Sequence, residues 1–148
     1  MIKLAFVCHG NICRSPMAEY LFNEKIRKLN LSDKFKAYSF ATSSEEIGNG
    51  IYPPVKKILN NLNINCSDKR AIRLKSDMYD KYDYFIGMDN ENIYNMERLF
   101  NTTDKIYLLS YFKNINKEVD DPWYTSDFYS CYKEIDDYLN YLIEYLIR

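Results

Sequence analysis

Nine residues near the start of the chain, Cys8-His9-Gly10-Asn11-Ile12-Cys13-Arg14-Ser15-Pro16, combine a nucleophile, a guanidinium and the makings of a tight turn. A cysteine six residues before an arginine is weak evidence by itself. Its setting gives it weight. Lys3 to Val7 is a short, mostly apolar run that reads as a buried parallel strand. Ser15-Pro16 then opens a helix, with proline at home on the first turn and serine placed to cap the free amides. A short loop entering a helix can point successive backbone amides into one concavity. The helix N-terminus adds positive potential there. Arg14 can offer a planar fork to two oxygens of a tetrahedral anion. Cys8 would lie at the bottom of this bowl, where the same field favours thiolate. Such a loop can bind a phosphate dianion and hold a sulfur nucleophile beneath its phosphorus. Gly10 permits close backbone approach, and Asn11 tolerates a left-handed conformation.

The elements that position this loop follow from hydrophobic spacing. Ala18, Leu21, Phe22, Ile26 and Leu29 mark one face of the first helix, while Glu19 falls one residue too far for a capping box with Ser15. A second strand is expected over Phe35 to Ala41, followed by a polar loop from Thr42 to Gly50. Pro53-Pro54 starts a second helix carrying Val55, Ile58, Leu59 and Leu62 on one side. Tyr82 to Met88 and Ile106 to Leu109 read as the third and fourth strands, with a helix over Asn90 to Phe100 between them. Tyr111 to Thr125 reads as irregular. Phe128, Cys131, Tyr132, Ile135, Leu139, Leu142, Ile143 and Leu146 predict a long final helix. Strands alternating with helices indicate an α/β fold. The expected architecture is a three-layer sandwich: a central four-stranded parallel sheet, helices on both faces, and the phosphate-binding loop after strand one. Ligands in such sheets sit at the carboxyl ends of strands, near a switch in strand order.

Composition narrows the function classes. The length of 148 residues suits one domain, taken as 1–148. Twenty Lys and Arg against 21 Asp and Glu leave a net charge of −1, which argues against broad binding to nucleic acid or membrane. No run approaches the ~20 apolar residues of a membrane span, and the apolar N-terminus is too short for a signal peptide. Four cysteines without a secretory signal favour a reducing compartment, and a cytoplasmic protein is expected. One histidine and the spacing of Cys8 and Cys13 make a structural metal unlikely, and no cofactor is expected. Fifteen tyrosines fit the codon bias of an AT-rich genome. A mostly monomeric protein is expected, with weak self-association through tyrosines a lesser alternative.

Cys8 to Pro16 resembles the phosphate-binding loop of the low-molecular-weight protein tyrosine phosphatases. Ala41-Thr42-Ser43 with Glu46-Ile47-Gly48-Asn49 resembles that family's second loop. Asp83-Tyr84-Phe85-Ile86, with Met88-Asp89 and Asn92, resembles its third strand and the turn after it. Asp121-Pro122-Trp123-Tyr124 resembles its late Asp-Pro-aromatic-aromatic loop. The matches run in order along nearly the whole chain.

The resemblance implies hydrolysis of phosphotyrosine or small aryl phosphates, without a metal. Cys8 would attack phosphorus and Arg14 stabilise the equatorial oxygens. Asp121 would protonate the leaving phenolate and then activate water. Ser15 would ease thiolate departure, and Asn11 and Ser43 would brace the loop. Asp120 rivals Asp121, but the family's acid directly precedes proline. Asp89 is expected as a structural acceptor. His9, Gly10, Ile12 and Cys13 would contribute to substrate binding, with Trp123 and Tyr124 as slot walls; a role for His9 in the chemistry is not expected. Cys13 either packs under the loop or forms a protective disulfide with Cys8 under oxidant, a pairing known in the family. Cys66 and Cys131 read as structural.

Two positions depart from the family. Glu45 stands where an aromatic is frequent, which would weaken one wall of the slot and disfavour acidic peptides. The histidine that some relatives carry after the second helix is absent, and Asp68 or Lys69 lies there, so the loop would be braced differently. Two other functions share the scaffold. An arsenate reductase needs further cysteines, and Tyr79 to Phe100 holds none. A non-catalytic phosphate-binding or redox-sensing module would have lost the nucleophile, the arginine or the acid, and all three are present.

Overall fold

The computed structural model describes all residues, 1–148. Its centre is a four-stranded sheet in the order β2-β1-β3-β4. The strands are β1 (Ile2–Cys8), β2 (Phe35–Ala41), β3 (Tyr84–Gly87) and β4 (Ile106–Leu108). Every neighbouring pair is parallel. Ile2 to Cys8 pair with Phe35 to Ala41, Leu4 to Val7 with Tyr84 to Gly87, and Phe85 to Gly87 with Ile106 to Leu108. The helices are α1 (Arg14–Lys28), α2 (Pro53–Asn61), α3 (Asn90–Phe100), α4 (Pro122–Thr125) and α5 (Phe128–Leu146).

Strand periodicity divides β1 between two cores. Leu4, Phe6 and Cys8 join Met17, Leu21 and Phe22 of α1, Val55 and Leu59 of α2, and Ile135, Leu139 and Leu142 of α5. Ala5 and Val7 face the other way, with Phe85 and with Met96 of α3. Helices therefore cover both faces, as the alternating pattern requires. β1 lies between β2 and β3, so the chain turns to opposite sides on leaving it. That is the switch point at which a crevice opens beyond the strand ends. No helix is long and apolar enough to cross a membrane.

The structure corrects three local expectations. Ser15 does not cap α1. The helix starts at Arg14, Cys13 is the cap residue, and no side chain caps it. The Ser15 hydroxyl instead bonds within the loop. The stretch from Tyr111 to Thr125 is partly ordered, with a 3-10 turn over Leu109–Lys113 and the four-residue α4. Leu29 and Leu62 fit the apolar stripes of α1 and α2, yet both sit at the C-cap and are exposed, because the chain leaves helical geometry there.

Gly87 ends β3 where α3 crosses closely. A Cβ at Gly87 would lie 2.9 Å from the Ile93 side chain. Asp89 then starts α3 with a reciprocal capping pair: its carboxylate accepts from the Asn92 amide, and the Asn92 side chain accepts from the Asp89 amide.

Candidate active site

Asn11 sets the shape of the first loop. It is the residue in left-handed conformation, at φ 61°, and it is 1% exposed. Its side chain makes three hydrogen bonds, using both N–H donors and the carbonyl oxygen. Nδ2 donates to Ser15 Oγ at 2.8 Å and to Ser39 Oγ at 2.9 Å, and Oδ1 accepts from the Ile72 amide at 3.0 Å. The curl brings the Asn11 amide to 3.3 Å from Cys8 Sγ. Ser15 Oγ lies 3.0 Å from the same sulfur. The amides of Gly10, Ile12 and Cys13 donate to no acceptor in the protein. Those of Arg14 and Ser15 belong to the first helical turn, whose N–H groups have no intrahelical partner. A ring of free donors thus surrounds a sulfur, which is the electrostatic demand of an oxyanion bound above it.

Arg14 is 2% exposed and held from two elements. Its Nη1 donates to Asp89 Oδ2 at 2.8 Å and to the Val119 carbonyl at 2.9 Å, and Nη2 lies 3.5 Å from Asp121 Oδ2. Burial works against its charge, but Cys8, Asp89 and Asp121 outweigh that and raise its pKa above the ordinary arginine value. The guanidinium remains a fixed cation. Asp89 bridges the N-cap of α3 and the Nη1 of Arg14, which is the geometry of a brace.

Asp121 sits opposite. It caps α4 by accepting from the Trp123 amide at 3.0 Å, and its other oxygen faces Arg14. The loop from Cys8 to Arg14 encloses a cavity of about 140 Å³ with Glu45, Glu46, Asp121, Trp123 and Tyr124. Asp120, the rival acid, is exposed and lines a different cavity beside Cys131. Trp123 packs on Tyr52 at 4.9 Å between ring centroids, and Tyr52 in turn on Phe128 at 5.7 Å. Ser43 Oγ donates to the His9 carbonyl at 2.9 Å, and the Ser43 amide bonds the same oxygen. His9 bridges two elements, with Nε2 2.8 Å from Glu45 and Nδ1 3.9 Å from Glu91 at the start of α3.

All four cysteines are free and buried. Burial, reinforced by the negative charge of Cys8, pushes the Cys13 thiol far above its ordinary range. Burial pushes the Cys131 thiol up to about 12.

This geometry has close counterparts. The family model for low molecular weight phosphotyrosine protein phosphatase matches residues 3–148. The chain belongs to that family. A low molecular weight protein-tyrosine-phosphatase, PtpA of Staphylococcus aureus, is 33% identical over 150 residues, covering 100% of this chain and 96% of the relative. The crystal structure of YfkJ from Bacillus subtilis superposes with a TM-score of 0.94 at 33% identity, covering 99% of this chain and 94% of the other. SP-PTP, a low molecular weight protein tyrosine phosphatase from Streptococcus pyogenes, gives 0.88 at 35% identity, covering 99% and 93%.

Of the two residues expected after α2, this phosphatase uses Lys69 to brace its loop, with Glu19 and Ser39, which the sequence reading did not assign. Lys69 is 8% exposed. Its Nζ donates to the Ser39 carbonyl at 2.9 Å and lies 3.6 Å from Glu19 Oε1. Ser39 Oγ donates to the same Glu19 oxygen and accepts from Asn11. A buried ion pair therefore connects through Ser39, Asn11 and Ser15 to Cys8. Desolvation pulls the Lys69 pKa down and pushes that of Glu19 up, and each is opposed by the other's charge. Glu46, quoted only within the second-loop resemblance, lines the slot, and Tyr52, which the sequence reading did not assign, supports Trp123; its proximity to Pro53 is too little to place a wall.

Proposed function

We propose that the protein hydrolyses phosphotyrosine and small aryl phosphates through a cysteinyl-phosphate intermediate. The observation that carries this is the Cys8 sulfur at the base of unpartnered loop amides, with the Arg14 fork and the Asp121 carboxyl at the rim. The amides and Arg14 bind the three terminal oxygens of the phosphate. The Cys8 thiolate attacks phosphorus in line, an S–P bond forms, and the P–O bond to the aryl group breaks. Asp121 transfers its proton to the departing phenolate, which with a pKa near 10 is otherwise a poor leaving group. Asp121, now a carboxylate, takes a proton from water as its oxygen attacks phosphorus. The S–P bond breaks and sulfur leaves as thiolate. Ser15 Oγ donates to that sulfur, since an ionised Cys8 can only accept. The positive charge of Arg14 and the fixed amides stabilise the equatorial oxygens without reorganising.

Substrate choice is supported by the walls. Trp123 and Tyr124 line the slot and Cys8 is 3% exposed at its base, an arrangement that favours a flat aryl group over a short seryl phosphate. Phosphoproteins are the substrate class. We propose Cys13, which lines the slot together with Cys8, as the resolving thiol: peroxide converts Cys8 to a sulfenic acid, and Cys13 displaces water from it to form a disulfide. A single phosphatase domain over 1–148 is supported by one sheet flanked by both cores. A cytoplasmic site of action is supported by four free thiols in the chain.

The test is paired. Wild-type protein hydrolyses p-nitrophenyl phosphate without added metal, and Cys8→Ser loses turnover to background while still binding vanadate. Turnover retained by Cys8→Ser overturns the mechanism.

A further inference from the structure

Beside the slot lies a second, larger cavity of about 420 Å³. The two share only His9. The second is walled by Thr42 and Ser43 after β2, by Arg73, and by Glu91, Asn95 and Arg98 of α3. Its position is fixed by the same backbone that holds the catalytic loop. The Thr42 amide donates to the Cys8 carbonyl at 3.0 Å, and Ser43 bonds the His9 carbonyl.

The chemistry of this groove is unspent. Arg73 and Arg98 are exposed, and neither guanidinium is paired with a carboxylate. The nearest organised contact of Arg98 is the Tyr94 ring, 5.6 Å from its guanidinium carbon. The Thr42 hydroxyl is buried and has no hydrogen-bond partner. The one carboxylate in the groove, Glu91, is turned toward His9. Two free cations therefore face one anion, and the groove carries a net positive charge. The slot's own rim is opposite in sign, with Glu45 and Glu46 on its wall. His9 stands at the boundary between the two fields.

We propose that this groove binds an anionic side chain, a carboxylate or a second phosphate, carried by the phosphorylated polypeptide close to the residue in the slot. The assignment rests on the phosphatase reading above and extends it to the substrate sequence. A residue in an extended chain advances ~3.3 Å, so a side chain one or two positions from the phosphotyrosine lies roughly 3–7 Å along the surface from it, toward a groove that shares His9 with the slot. Arg73 and Arg98 offer forks that match either oxyanion. An acidic residue on the Glu45 and Glu46 side meets repulsion, while one on the α3 side meets the arginines. The pair of fields thus fixes the direction in which the peptide lies.

The experiment compares kcat/KM for phosphotyrosine peptides carrying glutamate, phosphoserine or glutamine at each of the two positions before and after the phosphotyrosine, with p-nitrophenyl phosphate as reference. Wild-type protein is expected to prefer glutamate over glutamine roughly three- to tenfold on one side only, more for phosphoserine, with the preference shrinking as salt rises. Arg73→Gln with Arg98→Gln is expected to erase that ratio. No preference in wild type, a preference on both sides alike, or one that survives the double substitution overturns the proposal. A double variant that loses p-nitrophenyl phosphate turnover in the same proportion also overturns it, because the groove would then be part of the slot. Absence of turnover on every substrate by wild type sinks the phosphatase reading and the groove with it; turnover without selectivity sinks the groove alone.

Discussion

On one side of the slot Cys8, Asn11, Arg14 and Ser15 are each at most 3% exposed, and each polar side chain has partners inside the protein. On the other side Trp123 is 52% and Tyr124 84% exposed, on a helix of four residues. The difference matches the work the proposed mechanism gives each side. In that mechanism charge builds on the phosphoryl oxygens, so the donors that meet it gain from being fixed beforehand. The side proposed to carry the acid must admit a protein-borne ring and release it, which a buried wall would prevent. Rigidity is therefore supplied by a network beneath the loop, and access by a short, solvated turn tied down through Arg14, Tyr52 and the cap on α4.

The comparison breaks most sharply at Asp121. Asp121→Asn is expected to slow phenyl phosphate by about 10²–10³-fold while slowing an activated aryl phosphate far less, because only the poor leaving group needs the proton. Equal slowing of both in steady-state assays would move the acid elsewhere, with Asp120 the first candidate.

Next in size is the buried support. Lys69→Met leaves Glu19 without its cation and is expected to destabilise the fold by about 3 kcal/mol in urea titrations at neutral pH. Adding Glu19→Gln should recover most of that. The sign with pH follows from the direction of the Glu19 shift. Its pKa is raised in the folded protein, so protonation favours folding, and the deficit of Lys69→Met should shrink as pH falls below neutrality. A deficit that is constant with pH, or not rescued by Glu19→Gln, would show that the loop does not depend on this pair.

The smallest effect sharpens the contrast from beneath the acid side. Cys131 is raised from 9.0 to about 12, and Cys13 is also raised, both by burial. Raised thiols stay neutral in the fold and ionise in the unfolded chain. Their contribution is present below pH 9 and is lost as pH climbs toward 12. Cys131→Ala should melt lower at neutrality yet decline less steeply with alkali; an unchanged alkaline slope would contradict the assignment.

The sequence made the first side readable and the second only partly so. Cys8, Asn11, Arg14 and Ser15 lie within eight consecutive residues, so a local pattern carries their geometry, including the left-handed Asn11. Even there the capping role expected of Ser15 fails while its role toward Cys8 fits the 3.0 Å contact, because the competing bond from Asn11 declares itself only once the loop is curled. Apolar runs and helical spacing locate the strands and long helices, with β2, α3 and α5 at their expected limits and β3 shorter than the expected Tyr82 to Met88. The short α4 carries too few residues for a periodic signal. The supports Glu19, Ser39 and Lys69 come from three separated elements, α1, β2 and the segment after α2. No spacing rule joins a glutamate on a helix to a lysine fifty positions later. Only the sheet order does, by setting α1 against β2.

The central claim is that Cys8 takes the phosphoryl group. Rapid acid quench of Asp121→Asn turning over an activated aryl phosphate, followed by mass spectrometry of the digested protein, tests it directly. The account predicts a phosphate adduct on the peptide containing Cys8, accumulating because the variant lacks the base that activates water. An adduct on another residue, or turnover with no adduct at any time, would contradict it.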